Sequence, residues 1–166
     1  MRGRHAGTVA NDRYTLGSIC TGAGMLEAGI AEVLPLDIRW HAEKDGDASE
    51  VLKRRFPHTP NLGDLTTMDW ANVEPVDVLC GGFPCQPFSL AGLQLGQADE
   101  RFLFDVIADG ISQMVTPPRM LLFENVPGLL TVDRGRSMAR IVYRMAALGY
   151  MGRYRVLQAA DIGACH

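Results

Sequence analysis

Tyr14-Thr15-Leu16-Gly17-Ser18-Ile19-Cys20, then Thr21-Gly22-Ala23-Gly24, then Met25-Leu26-Glu27-Ala28-Gly29-Ile30 is the stretch that decides the fold. Its first seven residues suit a strand, the two glycines a turn, and Leu26, Ile30 and Val33 one face of a helix that Pro35 stops. Strand, glycine turn and helix in that order open a parallel α/β unit. The same alternation continues outward. Leu36 to Ala42 predicts a second strand ending at Glu43, and Asp47 with Glu50 three residues later predicts a capping box for a helix carrying Ala48, Val51, Leu52 and Phe56, closed by Pro57. Further strands are expected around Val76 to Cys80 and Met120 to Phe123, separated by a long loop and a helix from roughly Glu100 to Val115. A helix from Arg136 to Leu148 puts Met138, Ile141, Val142 and Met145 on one face and Arg136, Arg140 and Arg144 on another. A last strand is expected near Met151 to Leu157. The pattern predicts an α/β fold with a mostly parallel sheet.

The 166 residues fit one domain, and 47% hydrophobic against 21% charged residues exclude a disordered or fibrous chain. Apolar runs are short, Met120 to Phe123 among the longest, so no segment is expected to span a bilayer. Residues 1–13 have no apolar core of the kind a secretory signal needs and read as a flexible N-terminal tail, which makes the cytoplasm the expected location. The cysteines Cys20, Cys80, Cys85 and Cys165 form no CxxC pair, which argues against a disulfide framework and a zinc site. Net charge is -3, with 9 basic and 16 acidic groups in residues 1–118 against 7 basic and 3 acidic in residues 119–166. A solvated helix face explains the basic excess of Arg136, Arg140 and Arg144 better than a nucleic-acid patch.

In open parallel sheets ligands lie beyond the carboxyl ends of the strands, and the chemistry-bearing residues obey this. Gly22 and Gly24 follow the first strand, Glu43 the second, Gly81 to Ser89 the third and Glu124 the fourth. A glycine turn with an acid about twenty residues on suits an adenosine-containing cofactor, the backbone N–H groups meeting an anionic end and the carboxylate a ribose diol. A third glycine three residues after Gly24 would favour a pyrophosphate, but Glu27 stands there. In Gly81-Gly82-Phe83-Pro84-Cys85-Gln86-Pro87-Phe88-Ser89 two glycines allow close backbone approach and two prolines stiffen a loop presenting a thiol, a candidate nucleophile. Glu124 is expected at the border of the apolar core, where desolvation favours the protonated acid, and Asn125 also suits a cap for the helix that follows.

Together these residues resemble the DNA (cytosine-5)-methyltransferase family. Five pieces match in order: Ser18 to Gly24, Glu43, Gly63-Asp64-Leu65, Gly81 to Ser89, and Glu124-Asn125-Val126. The resemblance runs from about Tyr14 to His166. It implies a Rossmann-like S-adenosylmethionine-dependent methyltransferase domain, incomplete at its C-terminus, and transfer of a methyl group to carbon 5 of a cytosine flipped out of double-stranded DNA. By the same resemblance Cys85 adds to carbon 6 as the nucleophile and Glu124 holds or protonates N3. Gly22 and Gly24 take the methionine end of the cofactor, Glu43 the ribose hydroxyls, and Asp64 the adenine amino group, with Leu65 and Leu103 as apolar neighbours. Pro84, Gln86, Ser89 and Asn125 fall to the substrate side, and no metal is required.

Cys20 stands where the family usually has an aromatic residue and Met25 where a glycine commonly follows. Ala160 to His166 resembles the approach to a Gln-x-Arg-x-Arg motif with His166 at the glutamine position, so residues 14–166 are expected to be a partial catalytic domain without the target recognition domain. A complementing C-terminal chain is therefore an expected partner beside DNA, as in a split enzyme. The alternatives are a catalytically inactive remnant that binds cofactor or a partner chain, and a methyltransferase acting on cytosine in tRNA.

Overall fold

The computed structural model describes residues 13–84 and 103–163. Four strands, β1 (Tyr14–Ile19), β2 (Leu36–Ala42), β3 (Val78–Gly82) and β4 (Met120–Glu124), form one sheet in the order β2-β1-β3-β4 with every neighbouring pair parallel. Among the described residues four α-helices accompany them: α1 (Met25–Ala31), α2 (Gly46–Arg55), α3 (Leu103–Gln113) and α4 (Arg136–Ala147). Parallel pairing requires a crossover between β1 and β2, and the glycine turn and α1 provide it. The chain divides into two compact units, one within residues 1–82 and 113–124, the other within 83–112 and 125–166.

The first unit contains the sheet. Its central strands are buried on both faces, so they show runs of buried residues rather than alternation. Leu16, Ile19, Leu79 and Cys80 are fully buried, and Ile30 with Leu26 of α1 packs on Leu16, Val78 and Cys80. Two glycines are there because a side chain would not fit. A Cβ on Gly81 would stand 2.2 Å from the carbonyl oxygen of Ile19, and one on Gly17 would stand 2.3 Å from the ring of Trp40. The register slips by one residue between Leu16 and Gly17, and Trp40 Nε1 donates to the carbonyl of Glu74 at 2.9 Å.

Several expectations are corrected. Val33 lies past the end of α1 and is 78% exposed. The N-cap of α2 is Asp45, whose carboxylate accepts from the N–H of Ala48 at 2.8 Å, and Asp47 sits inside the first turn. β3 begins at Val78, two residues later than the apolar run suggested, because Asp77 is taken up at the strand's entrance by Thr15, whose N–H and hydroxyl both donate to its carboxylate at 2.9 Å. Met151 to Leu157 is not a strand, and all seven residues are exposed. A strand needs a ladder beside it, and among the described residues nothing pairs with this segment.

In the second unit, α3 buries Leu103, Phe104, Ile107, Ala108 and Ile111, and Phe104 faces Phe83 with ring centroids 5.0 Å apart. The arginines of α4 are not a merely solvated face. Arg140 grips the buried Asp105 through Nε at 3.1 Å and Nη2 at 2.7 Å, and Arg144 donates to Asp109, so the two helices are tied by ion pairs. Arg136 Nε donates to the carbonyl of Asp133 at 3.0 Å. Met138, Ile141 and Met145 are half-buried, whereas Val142 is exposed.

Candidate active site

The ends of β1 and β2 build one corner of the site. Gly22 and Gly24 have φ of 55° and 75°, values that a residue with a Cβ adopts at a cost. Their reasons differ. A Cβ on Gly24 would strike the Phe56 ring at 2.5 Å, so this glycine serves packing of the turn on the end of α2, whereas a Cβ on Gly22 would meet none of the described residues within 4 Å. Among the described residues the Cα of Gly22 thus faces free space. Its N–H donates to Glu43 Oε2 at 2.7 Å, which brings the turn and the acid together as the spacing suggested. The Glu43 carboxylate also accepts from the N–H of Asp45 at 2.8 Å, and its backbone is clasped by Asn61, which accepts from Glu43 N–H and donates to Glu43 carbonyl, both at 3.0 Å.

The Asn61 clasp carries the next piece of chain alongside β2, where His41 N–H donates to the carbonyl of Pro60 and Leu62 N–H to the carbonyl of His41. Asp64 follows, half-buried, with Oδ1 accepting from Thr66 N–H at 2.9 Å and its hydroxyl at 2.8 Å. Leu65 is buried, its carbonyl accepting from Trp70 Nε1 at 3.1 Å. Gly22, Glu43, Asp64 and Leu65 therefore all belong to the first unit, at or after the ends of β1 and β2. A glycine turn with free space at Gly22, a fixed carboxylate, an acid on a turn and a buried leucine make a set that fits an adenosine cofactor with a charged tail. Leu103 is buried in the first turn of α3, in the second unit.

The other corner follows β3 and β4. Cys85, Gln86 and Ser89 lie outside the described residues. The chain leading to them is described: Gly81 and Gly82 end β3, Phe83 is buried and Pro84 is exposed. Gly82 pairs in register with Glu124, and a Cβ on Gly82 would stand 3.0 Å from Glu124 Oε2. The second glycine accordingly makes room for the glutamate. Glu124 is exposed rather than at the border of the apolar core: it is the last residue of β4, a strand without a buried residue that stands at the edge of the sheet among the described residues. Asn125 does not cap a helix either: Val126 takes the cap position of the short 3-10 turn that follows, and Asn125 Nδ2 donates to the carbonyl of Phe83 at 2.6 Å. This bond fastens the stem of the Pro84 segment to the residue after Glu124.

Two described cysteines are poor nucleophiles. Burial, with Cys80 fully enclosed and beside Glu27, pushes the Cys80 thiol far above its ordinary range. Cys20 is pushed up to about 11, chiefly by burial and then by the negative charge of Glu43. Three residues that shape this corner were not singled out as site residues by the sequence: Asn61 behind Glu43, Arg55, whose guanidinium donates to the carbonyl of Ala23 at 2.6 Å, and Glu27, fully buried beneath the turn. Only Glu27 left a trace, as an acid between the apolar positions Leu26 and Ile30.

Comparison with known proteins places these features in context. The sequence model of the C-5 cytosine-specific DNA methylase family matches residues 14–166. The Type II methyltransferase M.NlaIV of Neisseria lactamica is 38% identical over 125 residues, 70% of this chain and 29% of that protein. The Type II methyltransferase M.NgoMIV of Neisseria gonorrhoeae is 34% identical over 157 residues, 91% of this chain and 48% of that protein. Among solved structures, S. pombe Dnmt2 methyltransferase superposes with a TM-score of 0.59 at 17% identity, covering 79% of this chain and 39% of that one, which shows a shared fold. The chain spans less than half the length of these curated relatives.

Proposed function

Because the chain belongs to the C-5 cytosine-specific DNA methylase family, we propose that it supplies the cofactor-binding and catalytic part of an enzyme that methylates carbon 5 of cytosine in double-stranded DNA, as in a Type II restriction–modification system. The observation that supports this most is the 2.7 Å bond from the Gly22 N–H to Glu43, which joins the glycine turn and the acid at the carboxyl ends of β1 and β2. Gly22 and Gly24 take the amino-acid end of S-adenosylmethionine, Glu43 its ribose hydroxyls, Asp64 its adenine amino group, with Leu65 and Leu103 against the apolar parts. S-adenosylmethionine, when bound, supplies the methyl group.

Carbon 5 of cytosine is a weak nucleophile and is reached only when the base leaves the helix stack. The Cys85 thiolate adds to carbon 6, forming a C–S bond and moving the ring's electron pair toward carbon 5, while Glu124 holds N3 with a proton and offsets the charge that develops. After carbon 5 is methylated its proton leaves, the electron pair re-forms the ring double bond, and the C–S bond breaks to return the thiolate. Pro84, Gln86 and Ser89 shape the loop on the substrate side, and Asn125 keeps that loop's stem at Phe83. The methyl acceptor is chosen by groove and phosphate contacts from a recognition region carried by a complementing C-terminal polypeptide, and the site of action is the cytoplasm where the DNA lies. None of the described helices is long and apolar enough to cross a membrane.

The test pairs this chain with the C-terminal part of a Type II relative and reads cytosine methylation of plasmid DNA by bisulfite sequencing. Cys85→Ala is expected to abolish methylation, and full activity in that variant would overturn the nucleophile. Oligonucleotides carrying fluorocytosine should trap a covalent adduct in DNA; trapping only in tRNA would move the substrate to RNA.

A further inference from the structure

Beneath the glycine turn lies a row of polar side chains that the mechanism above does not use. His41 of β2, Ser18 of β1 and Cys80 of β3 stand opposite one another in the parallel register, so their side chains share one face of the sheet. Glu27, from the first turn of α1, comes down on that row and is fully buried, as are Ser18 and Cys80, with His41 1% exposed. Ser18 Oγ donates to Glu27 Oε1, and Cys80 Sγ donates to the same oxygen at 3.7 Å. A hydroxyl has a single hydrogen, so with Ser18 committed to Glu27 the 2.9 Å contact between Ser18 and Thr21 is a bond donated by Thr21. The result is a relay from Thr21 through Ser18 to Glu27. Glu27 Oε2 and both ring nitrogens of His41 find no hydrogen-bond partner among the described residues.

A buried carboxylate in a sheet core is costly, and apolar residues would pack the same space more favourably. What the relay holds explains its presence. Thr21 opens the turn, and the backbone there takes positive φ at Cys20 (48°), Gly22 (55°) and Gly24 (75°). Left-handed geometry at a residue with a Cβ, as at Cys20, persists only where its surroundings impose it. Cys20 N–H donates to the carbonyl of Ala42 at 2.9 Å on one side, and the Thr21 hydroxyl is anchored to Glu27 through Ser18 on the other. Between those anchors the Gly22 N–H is aimed at Glu43.

We propose that Glu27 is a positioning residue: through Ser18 and Thr21 it holds the Cys20–Gly24 turn in its left-handed, cofactor-ready geometry. The proposal rests on the reading of this turn as the S-adenosylmethionine site. Equilibrium binding of S-adenosylmethionine to the chain, measured by calorimetry, tests it. Glu27→Leu is expected to weaken binding about tenfold, the equivalent of one hydrogen bond to a charged group. Glu27→Gln keeps an oxygen for Ser18 and is expected to recover most of that loss, which a mere volume effect would not predict. Thr21→Val cuts the relay at its far end without entering the sheet core; it is expected to weaken binding severalfold and remains informative where Glu27→Leu does not fold. In the Glu27→Leu background, Thr21→Val should add little, because both act on one relay. Unchanged affinity in folded Glu27→Leu or Thr21→Val overturns the positioning role while leaving the cofactor site intact. Failure of the wild-type chain to bind S-adenosylmethionine overturns the site and the proposal together.

Discussion

Around β1 and β3 the chain is held by apolar burial with almost no slack: Leu16, Ile19 and Leu79 are fully enclosed, and Gly81 stands so close to Ile19 that not even a methyl group fits. Helix α4 is built on other terms. It buries none of its residues fully, leaves Val142 and Tyr143 exposed, and is joined to α3 by Arg140 and Arg144 on Asp105 and Asp109. Close packing resists every change of volume and fixes register, whereas partly exposed ion pairs set an orientation for little free energy, since water competes for them. The region around β1 and β3 has to hold a turn against strain, whereas α4 is expected to open more readily.

The difference can be broken most forcefully at Gly81. Gly81→Val puts a branched side chain onto the Ile19 carbonyl and is expected to cost about 3 kcal/mol, read as a lowered urea midpoint. Asp105→Asn removes the charge that Arg140 clasps. With Arg140 half exposed and able to rehydrate, the expected cost is about 1 kcal/mol. Hydrogen exchange should quicken in α4 and leave β1 and β3 amides unchanged; equal quickening in the sheet would show that the two regions open as one.

The gentlest probe is pH, through His41. Burial lowers its pKa below the ordinary 6.5, partly opposed by the nearby negative charge of Glu27. Between the lowered folded value and 6.5 the unfolded chain binds the proton that the folded chain refuses, so stability is lost as pH falls below about 6.5 and is unaffected above it. The slope is expected to approach about 1.4 kcal/mol per pH unit at most. Unfolding midpoints at descending pH should fall more steeply for the wild type than for His41→Gln.

Much of this was legible in the residues. The second strand lies where Leu36 to Ala42 placed it, and the pairing of Gly22 with Glu43 follows from a turn and an acid at the ends of adjacent parallel strands. The α2 cap lies at Asp45 and not at Asp47 as the sequence predicts, because the two are equally good caps in isolation. Glu43 settles the choice by taking the N–H of Asp45, which fixes that residue where its carboxylate meets Ala48. The strand expected at Met151 to Leu157 failed for a different reason: alternation prepares a segment for a ladder but does not provide the neighbour. Asn125, legible as a cap, turned out to tie down Phe83, 42 residues away in the chain.

The sequence by itself determined the order of strand, turn and helix, the glycines the turn requires and the family these residues spell, because periodicity, left-handed backbone and motif spacing are local properties. Only the tertiary structure decided that Gly22 faces open space among the described residues while Gly24 packs on Phe56, that His41, Ser18 and Cys80 line up under Glu27, and that Arg140 answers Asp105. Those facts depend on which groups parallel register and helix packing bring face to face, and no stretch of chain carries that information alone.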